Sequence, residues 1–243
     1  MNEYLVTADI GKRYDPFVLF VHRKTSKIVP GSTALRTPDR VVRYLDLVHI
    51  EKFLGITYPQ MGDLVATWMG HNQIVNNADL VYDGTGVGEA FGDILHERSI
   101  AGIPIIVGGG EQVREVYTDF GSVFSGQNGR LGSAQILKEV HVPKADLVAA
   151  GQLIAQQGRY RLASGLQWAD DFQAQLSNFK GIKKDGARIK SAEAELEKVH
   201  DDFVSCYLLA CWFFLREGEV AAPDSVLPAT LRTAGAWDPY SYM

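Results

Sequence analysis

The most constraining feature of this 243-residue chain is a change of rhythm about a quarter of the way along it. Tyr4 to Asp9 (YLVTAD), Phe17 to Arg23 (FVLFVHR) and Val41 to Ile50 are short runs rich in β-branched and aromatic residues, separated by turn residues. Such runs read as three consecutive strands of an antiparallel meander. The pattern then alternates. Thr57 is a candidate N-cap with Pro59 in the first turn, followed by Tyr58, Met61, Leu64, Val65 and Trp68 at helical spacing. Ala78 to Asp83 (ADLVYD) reads as a strand, and Val87, Ala90, Phe91, Ile94 and Leu95 as an amphipathic helix. Ile103 to Val107 (IPIIV) reads as a buried strand that ends at Gly108-Gly109-Gly110. Strand–helix–strand–helix–strand implies a parallel portion joined by right-handed crossovers.

The second half is less regular. Asn128-Gly129 is a turn signal, Pro143 can open a helix carrying Leu147, Val148, Leu153 and Ile154, and Ser164 can cap one carrying Leu166, Ala169, Phe172 and Leu176. Asn178 to Lys190 reads as a hairpin around Asp185-Gly186. His200 to Leu215 reads as a buried helix, too short to span a bilayer. Residues 1–220 are expected to form one domain, and the proline-bearing stretch 221–243 an irregular tail.

Composition sets limits on function. Apolar residues at 46% and charged residues at 22% exclude wholesale disorder. A net charge of −5 argues against affinity for nucleic acid through bulk positive charge, though not against a nuclease whose carboxylates hold cations. Cys206 and Cys211 lie five apart on one helical stretch, face different ways and cannot pair, which fits a reducing compartment. The amino-terminal residues run straight into a strand, with no basic segment and no small-residue cleavage site, so no signal peptide is read there.

Three acidic positions stand out by where they fall. Asp9 ends the first strand, Asp83 ends the fourth, and Asp201-Asp202 starts the apolar helix. Strand ends of an open sheet face one crevice, and a helix laid across the sheet can bring Asp202 there. Carboxylates without histidine or cysteine partners make a hard oxygen site suited to Mg²⁺ or Mn²⁺. Two such ions can activate water and stabilise the leaving oxygen of a phosphodiester. Each residue also has a structural reading, as a turn residue or as an N-cap favoured by the helix dipole.

The order of elements and the carboxylate positions resemble a ribonuclease H-like nuclease. More closely, the chain resembles the nuclease domain of the large terminase subunit of tailed bacteriophages. The resemblance is carried by ADIGKRYDPFVLFV (Ala8 to Val21), VYDGTGVGEAFGDIL (Val81 to Leu95), IPIIVGGG (Ile103 to Gly110), VPKADLVAAGQLIAQQGRYRLA (Val142 to Ala163) and HDDFVSCYLLACWF (His200 to Phe213). It implies an α/β fold: a mixed sheet of about five strands, the first three antiparallel, helices on both faces and a C-terminal β-hairpin insertion. It implies that Asp9, Asp83 and the pair Asp201/Asp202 are catalytic and hold metal, two Mg²⁺ or Mn²⁺ ions. Asp202 is preferred as the third ligand, because adjacent helical residues point about 100° apart. The implied substrate is double-stranded DNA, cut during phage genome packaging in the host cytoplasm. Implied partners are a terminase ATPase domain, a small terminase subunit and a portal protein, with no membrane. No G-x-x-x-x-G-K-[ST] loop is present, so motor activity is not read into this chain.

The cluster Lys180, Lys183, Lys184, Arg188 and Lys190, with Lys12 and Arg13, is the candidate DNA-contacting set; lysines that guard a solvated hairpin edge are the structural alternative. Gly84, Gly86 and Gly88 fit either a phosphate-binding turn or tight turning beside the acidic site. His200 reads as a helix-start residue or a proton donor, and Trp68, Trp168 and Trp212 as core. Two other functional classes remain. An actin- or sugar-kinase-like phosphotransferase shares the sheet, and Asp9-Ile10-Gly11 with Asp83-Gly84-Thr85-Gly86 loosely resembles its phosphate loops. A non-catalytic docking module of the packaging machinery is the other.

Overall fold

A computed structural model describes residues 2–11, 15–31, 38–124, 131–179 and 202–220. The strands are β1 (Tyr4–Asp9), β2 (Phe17–Val29), β3 (Arg40–Phe53), β4 (Ala78–Asp83), β5 (Ile103–Gly108), β6 (Arg114–Phe124), β7 (Leu131–Pro143) and β8 (Tyr160–Leu162). The helices are α1 (Tyr58–Met69), α2 (Gly88–Glu97), α3 (Lys144–Gln156), α4 (Ala169–Asn178) and α5 (Asp202–Val220). All eight strands form one sheet in the order β6-β7-β5-β4-β1-β2-β3-β8. β1, β2 and β3 are antiparallel neighbours, while β4 and β5 continue the sheet parallel to β1. This central arrangement is a mixed α/β sheet with its first three strands antiparallel, as the resemblance implies.

Three strands extend the sheet beyond the five expected. β6 and β7 pair antiparallel along one edge, with β7 parallel to β5, and β8 adds three residues beside β3. Asn128-Gly129, in sequence between β6 and β7, lies outside the described residues, and the two long strands on either side of it are not among the expected elements. The hairpin expected at Asn178 to Lys190 lies almost wholly outside the described residues; Asn178 itself ends α4. The stretch 221–243 also lies outside them.

Side-chain alternation sends the strands' apolar residues to two cores. Leu5, Val18, Phe20, Val81 and Ile105 point to one face and pack with α3, α4 and α5. Tyr4, Val6, Ala8, Leu19, Leu80 and Tyr82 point to the other and pack with Met61 and Val65 of α1 and Phe91 and Leu95 of α2. At the start of α1 the Thr57 backbone N–H donates to Gln60 Oε1 at 2.8 Å. Two local expectations need correction. Leu153 is 42% exposed rather than core, because α3 turns it away from the sheet. α4 starts at Ala169 after Trp168, not at a Ser164 cap.

α5 carries most of the first core. Phe203, Cys206, Ala210, Cys211 and Phe214 are fully buried along it. It crosses α3 closely at Gly151, where a Cβ atom would stand 2.5 Å from Leu208 Cδ2 and 3.0 Å from Tyr207 Cε1. The Tyr207 hydroxyl donates to the Gly151 carbonyl at 2.6 Å, which fixes the crossing. The far end of α5 is held by ions. Lys24 Nζ lies 2.9 Å from Asp79 Oδ2 and 2.9 Å from Glu217 Oε1. Among the described residues no helix is long and apolar enough to cross a membrane.

His22 is fully buried on β2, its Nε2 3.0 Å from the Tyr160 hydroxyl on β8. Burial disfavours the imidazolium and lowers its pKa to about 3. The unfolded chain would protonate this histidine near pH 6.5, whereas the fold holds it neutral to about pH 3. Its contribution is therefore complete above pH 6.5 and lost as pH falls toward 3, at a slope of up to about 1.4 kcal/mol per pH unit. Urea titrations between pH 7 and 4 should show this loss, and His22→Phe should reduce the slope; an unchanged slope would mean that His22 does not couple folding to pH.

Candidate active site

β1 and β4 lie parallel and in register, so that Asp9 is the direct partner of Asp83. Neighbouring strands are about 4.8 Å apart, and paired residues project to the same face. Alternation settles which face. Leu5 and Val81 belong to the core beneath α5, and Asp9 and Asp83 follow them at even spacing. Both carboxylates therefore stand on the α5 side, at the carboxyl ends of two parallel strands.

α5 brings the third. Its first residue, Asp202, is buried at 9% exposure, and Cys206 lies one turn further along the same helical face. Two contacts hold that turn on the sheet. The buried Thr7 hydroxyl donates to the Cys206 carbonyl at 3.2 Å, and the Cys206 thiol donates to the Val18 carbonyl at 3.5 Å. Thr7 is two residues before Asp9, and Val18 is its partner on β2. Burial pushes the Cys206 thiol well above its usual pKa. The charges of Asp9, Asp202 and Asp83 add to that rise, and a backbone hydrogen bond with Asp9 opposes it. One buried thiol is thus within electrostatic reach of all three carboxylates, at the same end of the sheet. Among the described residues, no three His, Cys, Asp or Glu side chains stand close enough to chelate one ion in their present positions.

The loop after β4 orients Asp83. Its Oδ1 accepts the Thr85 N–H at 2.8 Å, and the Thr85 hydroxyl accepts the Val107 N–H of β5 at 3.0 Å. Gly84 is required here, since a Cβ would meet Pro104 Cβ at 2.9 Å, Ile106 Cδ1 at 3.0 Å and the Gly88 backbone at 3.3 Å. Gly86 turns the chain at φ +79°. Tight packing beside the acidic pair therefore accounts for the glycines. After β1, Gly11 has the same role more severely, because a Cβ would lie 2.4 Å from the Asp15 carbonyl oxygen.

Asp201, Lys12, Arg13, Lys180, Lys183, Lys184, Arg188, Lys190 and His200 lie outside the described residues. Of the tryptophans, Trp212 is buried, whereas Trp68 and Trp168 are half-buried. Trp68 stacks on His49 with ring centres 4.1 Å apart. Trp168 holds an unfavourable left-handed backbone, φ 67° and ψ 8°, just before α4, and its carbonyl accepts the Phe172 N–H.

Sequence reasoning missed a cation on this face. Lys52 of β3 is the partner of Val18, which is the partner of Asp9. One row across the sheet therefore reads Ile105, Asp83, Asp9, Val18, Lys52. Lys52 Nζ sits 4.7 Å from the Phe203 ring centre and 5.5 Å from that of Trp168.

No protein-family model and no curated protein matches the sequence. Among solved structures, the chain is similar to the large terminase nuclease from thermophilic phage G20c. That similarity covers 86% of this chain and 81% of that one at 16% identity, with a TM-score of 0.45.

The packing of α5 makes a chemical prediction. Burial raises the pKa of both thiols, and Cys206 and Cys211 are both free and buried. At pH 8 neither should react with a thiol reagent in the native protein, and both should react in denaturant. Fast native labelling of Cys206 would show that α5 does not cover the strand ends as described.

Proposed function

We propose that this chain is a metal-dependent endonuclease that hydrolyses phosphodiester bonds of double-stranded DNA during phage genome packaging. The observation that carries the reading is the in-register pair Asp9 and Asp83 at parallel strand ends, with Asp202 brought over it by α5. Structural caps would not need to converge. Carboxylates gathered within reach of one buried thiol disfavour one another's charge, and a cation bound among them would offset that.

The donor set fits a hard divalent ion. It consists of carboxylate oxygens above a buried, protonated thiol, with no imidazole among the described residues named there. Asp9, Asp83 and Asp202 would hold Mg²⁺ or Mn²⁺, two ions in the fuller form of the proposal, with Asp201 as an alternate ligand. Such ions, when bound, supply an activated water and charge stabilisation for the departing 3′ oxygen. The chain's own residues do the placing. The β1–β4 register sets the spacing of Asp9 and Asp83, and the Thr85 N–H fixes the orientation of Asp83. The Thr7 and Val18 contacts set how far Asp202 advances over them. Buried walls on the α5 side limit water to the open end of the strands. Lys12, Arg13, Lys180, Lys183, Lys184, Arg188 and Lys190 would contact the DNA backbone. A terminase ATPase domain, a small terminase subunit and a portal protein are the proposed protein partners.

The wild-type chain should nick and linearise supercoiled plasmid with Mn²⁺ or Mg²⁺. Asp83→Asn should lower that rate by roughly two orders of magnitude or more while remaining folded. In the absence of DNA, Mn²⁺ should raise the melting temperature of the wild type and not of Asp9→Asn, because an ion that binds only the native state stabilises it by mass action. Undiminished cleavage by Asp83→Asn would refute the assignment. Stabilisation by ATP without cleavage would support the phosphotransferase instead, and inertness in both assays the docking module.

A further inference from the structure

Lys52 occupies the end of the residue row that carries the acidic pair, on the same face, two strands from Asp9. Two strand spacings are about 10 Å, the scale that separates near-neighbour phosphates on one DNA strand. The ammonium does not extend away from the site. It lies over the ring of Phe203, the neighbour of Asp202, and beside Trp168. Both rings limit where the side chain can swing, and a strained backbone holds one of them. Among the described residues, no carboxylate lies within ion-pair distance of Lys52, although Asp9 and Asp83 stand further along its row. A half-buried, ring-supported cation without a carboxylate partner among those residues is suited to an anion that arrives from outside.

We propose that Lys52, braced by Phe203 and Trp168, holds a backbone phosphate of the DNA strand flanking the one presented to Asp9 and Asp83. The proposal rests on the nuclease reading and adds a positioning residue to it. Lys52 sets the direction of the bound strand. The carboxylates disfavour phosphate at the Asp9–Asp83 end of the row, and Lys52 favours it at the other end. The strand therefore runs from the Asp9–Asp83 pair across β2 toward the end of β3. Trp168 offers its ring surface on the same path.

The test is equilibrium binding of the full chain to a short fluorescent DNA duplex in EDTA, followed by anisotropy from 50 to 200 mM salt. Lys52→Met keeps the apolar stem over the rings and removes the charge, Lys52→Gln is a second neutral form, and Lys52→Arg restores the charge. Loss of one phosphate contact should flatten the slope of log K against log salt by about 0.9, which is about eightfold in affinity at 0.1 M salt. Both neutral variants should show that change, and Lys52→Arg should keep the wild-type slope. A purely structural role would shift the melting temperature and leave the slope alone. A wild-type slope in both neutral variants overturns the proposal while the nuclease reading stands. If the wild type cleaves no plasmid and binds no duplex, the nuclease reading falls and takes this one with it.

Discussion

The parallel pairing of β1 with β4 is the constraint on which everything at the site depends. Register in a sheet has a period of two, so a slip of one residue would turn Asp83 and Val81 to the α1–α2 side and bring Leu80 and Tyr82 to the α5 side. The hydrophobic pattern forbids that slip. Leu5 and Val81 are fully buried in one core, and Ala8 and Tyr82 nearly or fully buried in the other. Packing on both faces thus specifies the position of two charges that do not themselves contribute to packing. The acidic pair is placed by its apolar neighbours.

α5 needs a second constraint, because a helix can slide along a sheet where a paired strand cannot. Near its start the Thr7 and Val18 contacts hold Cys206, and in its middle the missing side chain of Gly151 lets α3 approach. Near its end Glu217 meets Lys24, whose side chain is only 4% exposed, and Lys24 also meets Asp79 on β4. Burial pushes the Glu217 carboxyl up, and the Lys24 hydrogen bond pulls it down. Buried ion pairs add little net stability but tolerate little displacement. Fifteen residues of helix, about 22 Å at 1.5 Å each, separate Asp202 from Glu217. The ionic end is therefore a fixed point remote from the acidic end, and the helix between them acts as a strut.

Much of this was legible in the sequence because periodicity is a local property. YLVTAD and ADLVYD announce strands that end in carboxylates, and the apolar run after Asp202 announces a helix. The legible part ends where pairing decides. β6 and β7 carry Gly121, Ser122, Gly132 and Ser133, which weaken the alternation, and the sheet edge they add to supplies the order. β8 is three residues long, too short for any period, and stands beside β3 with Arg161 paired to Asp46 at 2.6 Å. The left-handed turn at Trp168 has no glycine or asparagine to advertise it. Lys52 illustrates the limit most clearly. In the sequence it is one lysine after His49-Ile50-Glu51, and only its pairing with Val18, and that of Val18 with Asp9, sets it beside the acidic group.

The same row explains why a negatively charged chain can be read as acting on a polyanion. Net charge governs the encounter at long range, where salt screens it over about 8–10 Å. Within that distance the distribution decides. Asp9 and Asp83 on the inner part of the row, with Asp202 of α5 at the same end, disfavour phosphate there, whereas Lys52 at the outer end favours it. On the nuclease reading, binding and neutralisation are coupled in part: without ions a strand is held at the outer end of the row by Lys52, and divalent ions bound at the inner end would let it lie along the whole row. The ions that would supply the chemistry would then also draw the strand to the acidic group.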